Sequence, residues 1–203
     1  MSKIKYFFEQ SWLLIVSAFC FGLLLAVANA GWSDRITQNE IDKRNRLMTA
    51  LIADANSFDL AIDDANIPGR KGKIVETDIY KAVDSSGKTA GFAFIAVGAG
   101  FADKIKLVIA VDSNCQKLYG YKVLASNETP GFGDKIKEKF LSAQFINAPI
   151  GSLELTKSGD ASVIDPEIIA ISGATVSSEA VVKTFNMYIE VVKEQLQKEE
   201  LTK

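Results

Sequence analysis

The sequence lacks histidine altogether, and only Cys20 and Cys115 among its 203 residues are cysteines. The absence of an imidazole excludes Ser-His-Asp triads and most zinc sites. No intrachain disulfide is expected, because Cys20 lies inside a long apolar run and leaves Cys115 without a partner. Any chemistry must therefore come from a bound cofactor or from carboxylates, and we predict neither a metal site nor a catalytic side chain.

An excess of positive charge is absent as well. The formal net charge is −2 and the pI is about 5.3, so no basic field is available to attract nucleic acid. The roughly 170 residues that follow the apolar run are enough for one ordinary domain with its own core, and few for two.

Residues 11–30 form one apolar run without a charged residue, flanked by Trp12 and Trp32. A helix of this length spans about 30 Å, the thickness of the hydrocarbon core of a bilayer. Tryptophans are enriched at the two interfaces of a membrane. We therefore predict one transmembrane helix in contact with the lipid bilayer, preceded by a short N-terminal tail over residues 1–10.

A cleaved signal peptide is the alternative, since Ala28-Asn29-Ala30 resembles an A-x-A cleavage site. The apolar run exceeds the usual length of about 7–15 residues for a signal peptide, which favours a retained helix. Basic residues on both sides of the run leave the orientation undecided by charge. A short tail and a long translocated domain fit an N-terminus inside and a C-terminus outside.

The remaining sequence predicts an α+β fold, an antiparallel meander sheet with flanking helices, over residues 71–203. Residues 31–70 are predicted as a helical stalk or linker, with an amphipathic helix over 33–55 and a loop over 63–73. Short turns join four predicted strands and favour antiparallel pairing; the strands are 74–83, 91–97, 105–111 and 118–125. In the third strand apolar residues alternate with Lys104 and Lys106, so one face of this strand is expected to be solvated.

Two helices complete the predicted domain. The first covers residues 134–145, with Ile136, Phe140 and Leu141 on one side. The second covers residues 176–199 and carries apolar residues at spacings of three and four, which is typical of a helix packed on a core; these are Val181, Phe185, Tyr188, Val192 and Leu196.

The segment Ser172-Gly173-Ala174-Thr175 lies directly before the second helix, and Ser177 and Ser178 follow it. Small residues allow close approach, and a helix N-terminus favours a phosphate by about 0.3–1 kcal/mol. Simple helix initiation explains the same residue types. The residues alone leave both interpretations open.

A second segment, Glu128-Thr129-Pro130-Gly131-Phe132-Gly133, predicts a tight loop after the fourth strand. As a plain connection, this loop would make Asp134 the N-cap of the next helix. Phe132, held between two glycines, is well placed to pack on a flat ring.

Together the two segments resemble the FMN-binding domain of the G subunit of the Rnf electron-transport complex. The related C subunit of the sodium-translocating NADH:quinone oxidoreductase shares both motifs. The resemblance covers nearly the whole chain after about residue 70 and includes the N-terminal span. In this family the threonine of the Ser-Gly-Ala-Thr motif forms a phosphoester with FMN, which implies covalent attachment at Thr175.

The resemblance also implies the other cofactor contacts. They come from the two motifs and are Ser172, Gly173, Ala174, Ser178, Glu128, Thr129, Gly131, Phe132 and Gly133. Phe132 stands where the family more often has leucine. Ile169 occupies a position where relatives often carry an acidic residue that is read by the flavin transferase that attaches FMN.

The function implied is that of a membrane-anchored electron-transfer flavoprotein, a subunit of an ion-translocating ferredoxin:NAD oxidoreductase without independent catalytic activity. Its partners would be other membrane and iron–sulfur subunits and, during maturation, the flavin transferase. Its soluble domain would lie outside the cytoplasmic membrane. The alternatives are the quinone-reductase subunit, a non-redox extracytoplasmic binding or assembly module of the same fold, and a cytoplasmic sensor domain.

Overall fold

The computed structural model describes residues 2–69 and 74–202, and the chain divides into two compact units between Asp42 and Lys43. Helix α1, Ser2–Leu51, supplies the first unit and the start of the second. It contains a stretch that is long and apolar enough to cross a membrane, and none of that stretch is buried. Leu14 and Leu25 are more than 70% exposed, which is typical of a helix that faces lipid.

The second unit is built on a five-stranded sheet in which each strand pairs antiparallel with the next. The strands are β1 Ser57–Pro68, β2 Ile74–Val83, β3 Thr89–Ala99, β4 Lys104–Asp112 and β5 Leu118–Ser126. The predicted α+β meander is therefore confirmed, and its four predicted strands correspond to β2 to β5. A short parallel pair, β6 Glu154–Thr156 and β7 Glu167–Ile169, was not predicted.

Strand β1 corrects two predictions. The helical stalk predicted through residue 70 ends as a helix at Leu51, and residues 63–68 of the predicted 63–73 loop lie in β1. The Asp63-Asp64 pair forms a bulge, with φ of 48° at Asp64 and a shift of register against β2. Residues 70–73 of that predicted loop lie outside the described residues.

The predicted 134–145 helix is broken into shorter pieces. Two 3-10 turns, Gly133–Lys137 and Ala143–Phe145, flank the single α-turn α2, Lys139–Ser142. Glu138 interrupts them, because its backbone is extended with ψ of 157°. The break turns Phe140 outward, where it is 49% exposed, while Phe145 is buried in its place.

Helix α3, Thr175–Lys198, packs on one face of the sheet, as its sequence predicts. The whole predicted stripe from Val181 to Leu196 is buried, and Phe185 contacts the rings of Tyr121 and Phe145. The Tyr188 hydroxyl accepts the N–H of Val97 at 3.0 Å, which joins the helix to β3. Burial raises the pKa of Tyr188, so its phenol stays neutral at physiological pH.

The opposite face of the sheet is covered in part: Lys104 and Lys106 on β4 are exposed, as the predicted solvated face requires, whereas Val108 and Ala110 on the same face are buried. Val108 and Ala110 on β4 alternate with residues that face α3, so they point to the other side. Met48 and Ile52, at the end of α1 and just after it, pack there. The second compact unit therefore begins at Lys43, well before residue 71.

Replacement of Phe185 by alanine tests the packing of α3. Phe185 is fully buried among aromatic rings, so Phe185→Ala should lower the free energy of unfolding by about 3–5 kcal/mol. Urea denaturation of the full chain in detergent micelles measures this loss. Val163→Ala is the control, because Val163 is 50% exposed and should change stability by less than about 0.5 kcal/mol. Equal losses in the two variants would contradict the packing described.

Candidate functional site

A cleft of about 480 Å³ lies where the turn between β3 and β4, the loop after β5 and the start of α3 meet. Its volume falls within the range of roughly 300–1,000 Å³ that is usual for small-molecule sites. Its lining residues are Phe101, Thr129, Phe132, Gly133, Gly173, Ala174, Thr175, Val176 and Ser177. The fold thus brings together the two motifs that the sequence singles out.

The start of α3 supplies the polar wall of the cleft. Gly173 has φ of 80°, a left-handed conformation that favours glycine, and Ala174 forms the N-cap without a side-chain hydrogen bond. The first backbone bond of the helix runs from the Ser178 N–H to the Ala174 oxygen, at 2.9 Å. Within the described residues, the N–H groups of Thr175, Val176 and Ser177 therefore have no backbone partner.

The three hydroxyls of this turn have different environments. Thr175 is half-buried on the cleft wall, and no described residue forms a hydrogen bond with its hydroxyl. Ser178 is fully buried, donates to the Ala174 oxygen at 2.9 Å and accepts the Ile171 N–H at 3.2 Å. The structure therefore places Ser178 behind the cleft, and Ser177 lines it instead.

The loop after β5 supplies the apolar wall. The backbone carbonyl oxygen of Thr129 accepts the N–H groups of Phe132 at 3.2 Å and Asp134 at 3.3 Å, which closes the loop into a compact turn. Phe132 is 59% exposed, and a Cβ on Gly173 would lie only 3.9 Å from its Cδ1 atom. The aromatic ring therefore sits beside the turn that carries Thr175.

The structure corrects the predicted N-cap of this region and locates two further motif residues. Asp134 lies in the first turn of the 3-10 helix, and Phe132 occupies its N-cap position. Gly131 and Ser172 are exposed and lie outside the cleft lining. Gly131 has φ of 77°, so it shapes the turn that presents Phe132.

Phe101 is a cleft residue that the sequence analysis did not identify. It lies in the turn between β3 and β4 and is 69% exposed. The signal available in the sequence was an aromatic residue directly after Gly100, in a short connection between two strands. With Phe132 it gives the cleft two exposed aromatic rings.

Glu128, which the resemblance implies as a cofactor contact, lies beneath the surface of the cleft. It is only 5% exposed and does not line the cleft. One carboxylate oxygen accepts the N–H of Ala102 at 3.0 Å, and the other accepts the hydroxyl of Ser177. Its partners are therefore protein groups beneath the cleft surface.

The cleft fits a ligand that is both anionic and aromatic. The described residues of its lining include no lysine or arginine, so the groups they offer to an anion are the N–H groups of the α3 turn and the hydroxyls of Thr129 and Thr175. Its groups for a flat ring are Phe101 and Phe132. FMN combines a phosphate with a flat three-ring system, so the residues present fit this cofactor.

Comparisons with known proteins agree with this geometry. Residues 100–190 match the family model of the FMN-binding domain. The chain is 34% identical over 116 residues to the G subunit of the ion-translocating oxidoreductase complex of Methanosarcina acetivorans. This match covers 57% of this chain and 58% of the relative. It is 26% identical over 179 residues to the G subunit of the proton-translocating ferredoxin:NAD(+) oxidoreductase complex of Clostridium ljungdahlii, over 88% of each chain.

Solved structures share the fold. The chain resembles the crystal structure of Shewanella oneidensis NqrC with a TM-score of 0.57 and 21% identity, over 73% of this chain and 72% of that one. It also resembles the C subunit of the Na(+)-translocating NADH-quinone reductase of Parabacteroides distasonis, with a TM-score of 0.53 and 20% identity over 78% and 95% of the two chains. The predicted resemblance to the Rnf-type G subunit is thus confirmed, and it covers residues 100–190, which match the FMN-binding domain model.

Proposed function

We propose that this chain is the membrane-anchored flavoprotein subunit of an Rnf-type ion-translocating ferredoxin:NAD oxidoreductase, with FMN bound covalently to Thr175. The observation that carries the proposal is the half-buried Thr175 hydroxyl, free of described partners, at a helix N-terminus beside two exposed phenylalanines. The relative matched over 88% of both chains, named as part of a ferredoxin:NAD(+) oxidoreductase complex, supports this complex over the quinone reductase.

The N-terminus of α3 suits a phosphoester. The first-turn N–H groups and the helix dipole would stabilise the remaining negative charge of the phosphate, by about 0.3–1 kcal/mol from the dipole. Among the residues that the structure describes, the cleft lining offers no basic side chain to pair with a phosphate. An ester to the Thr175 Oγ atom would instead prevent dissociation of the cofactor.

The chain's own residues bind and orient the cofactor. FMN supplies the redox chemistry when it is bound, since it accepts and releases electrons on its ring system. Phe101 and Phe132 would contact the ring, while Thr129 and Gly133 would form the floor of the loop beneath it. No acid, base or nucleophile of the protein is needed during turnover, which agrees with the complete absence of histidine.

The apolar part of α1 would serve as the single membrane anchor over residues 11–30. Its exposed apolar surface supports contact with lipid. In the proposed topology residues 1–10 are cytoplasmic and the flavin domain is extracytoplasmic. The partners would be the membrane and iron–sulfur subunits of the complex and, during maturation, a flavin transferase.

The attachment site is tested by flavin fluorescence on a denaturing gel. The full chain is expressed together with its flavin transferase, and the wild-type band should fluoresce because an ester survives denaturation. Thr175→Ala should abolish the fluorescence. Thr49→Ala is the matched control, since Thr49 is exposed on α1 and bonds only to its own helix.

Each other outcome has a defined meaning. Fluorescence that survives Thr175→Ala would contradict attachment at Thr175. A dark wild-type band would contradict the covalent flavoprotein and would favour the non-redox module of the same fold.

The two phenylalanines are tested by redox titration of the attached flavin. Phe101→Ala and Phe132→Ala should each shift the midpoint potential by up to about 30 mV, because aromatic contacts contribute about 0.5–1.5 kcal/mol and 30 mV corresponds to about 1.4 kcal/mol for two electrons. Phe140→Ala is the control, because Phe140 is exposed outside the cleft. An unchanged potential in either cleft variant would remove that ring from the flavin site.

A further inference from the structure

We propose that Glu128 is a positioning residue: its buried carboxylate joins the three segments of the cleft and holds the Thr175 turn in place for flavin attachment. This role differs from the direct flavin contact that the sequence motif implies. It rests on the proposed function, because it concerns the same cleft.

The carboxylate links three parts of the chain that are distant in sequence. Glu128 itself starts the loop after β5. One of its oxygens accepts the Ala102 N–H, from the turn between β3 and β4, at 3.0 Å. The other accepts the Ser177 hydroxyl, from the first turn of α3. Every segment that lines the cleft therefore meets at this one side chain.

Two glycines allow the carboxylate to be enclosed so closely. A Cβ on Gly133 would lie 2.5 Å from the Glu128 Oε2 atom and 2.6 Å from the Ser177 Oγ atom, and a Cβ on Gly100 would collide with the Glu128 Oε1 atom. Neither glycine has a positive φ, so close approach of neighbouring atoms explains them better than backbone conformation; at Gly100 these atoms include the backbone oxygen of Asp103 as well as the Glu128 carboxylate. Gly133 belongs to the loop motif, which thus contains both the carboxylate and the space that it needs.

Because the Glu128 carboxylate is buried, loss of either of its two hydrogen bonds is expected to be costly. A carboxylate that is 5% exposed is costly to hold without partners, and hydrogen bonds to charged groups are among the stronger ones in proteins. Ser177 lies two residues after Thr175 in the same helical turn. The bond from Ser177 to Glu128 therefore fixes the turn that carries both the acceptor hydroxyl and the unpaired N–H groups.

The first measurement needs no flavin. Hydrogen exchange is followed by mass spectrometry on the full chain in lipid nanodiscs, prepared without the transferase. Ser177→Ala removes one of the two hydrogen bonds that hold the Glu128 carboxylate, whose other bond is to the Ala102 N–H. Exchange of the Ala102 amide should therefore become about tenfold faster, although Ser177 and Ala102 share no direct bond. Glu179→Gln is the matched control, since Glu179 lies on the same helix and pairs only with Lys183 on the surface. Unchanged exchange at Ala102 in Ser177→Ala would overturn the proposal.

The second measurement follows fluorescent flavin per protein over time after induction of the transferase. Glu128→Ala and Ser177→Ala should each slow attachment by about tenfold, and the double variant should be no slower than the slower single variant. Glu128→Gln should restore most of the rate, because its amide oxygen can accept the Ala102 N–H while its NH₂ group donates to Ser177. Glu179→Gln should attach flavin at the wild-type rate.

The outcomes separate this proposal from the proposed function. Single-variant defects that multiply to about a hundredfold in the double variant would overturn the positioning role, since the two residues would then act independently. Failure of Glu128→Gln to recover attachment would also overturn it. If wild-type protein takes up no flavin, the proposed function fails, and the exchange of the Ala102 amide still decides whether Glu128 joins the segments.

Discussion

The packing of α3 across the sheet is the constraint on which the site depends. Most of the helix is fixed by its buried stripe and by the bond from Val97 to Tyr188, so the position of its first turn follows from the core. That turn carries Thr175, the residue through which we propose that the cofactor is held. A site on the end of a rigid, buried element is positioned more accurately than one on a free loop. The motif residues of this turn therefore depend on apolar residues as far along the chain as Leu196.

Much of this fold could be predicted because its signals are local. Strands β2 to β5 alternate or are bounded by turn residues, and the α3 stripe repeats at helical spacing. Strand β1 was missed because the Asp-Asp pair and Pro68 indicate a loop, whereas pairing with β2 tolerates a bulge at Asp64 and a proline at the strand end. The break at Glu138 has no comparable signal in the sequence, and it leaves Phe140 exposed although the sequence placed it on one side with Ile136 and Leu141, which are buried.

In the candidate site, too, the features with a local sequence signal could be predicted and those set by tertiary packing could not. The two motifs could be paired from the resemblance, and the fold does bring them to one cleft. The choice between Ser177 and Ser178 depends on the rotation of α3, which is set by its packing, and the buried serine bonds back to Ala174. The roles of Glu128 and Phe101 depend on contacts between segments far apart in the chain. Such contacts leave no local pattern, so the sequence could not indicate that Glu128 bonds to Ala102 and Ser177.

Met48 and Ile52 pack on the second face of the sheet. This packing limits where the chain can be truncated to separate the soluble domain from its anchor. A fragment that starts at the first strand would leave Ala93, Val108 and Ala110 bare, and an apolar sheet face exposed in this way promotes aggregation. The last turns of α1 are thus an integral part of the domain, although the same helix contains the apolar stretch. The natural boundary for a water-soluble fragment is Lys43, inside a helix, where no loop or composition change marks it.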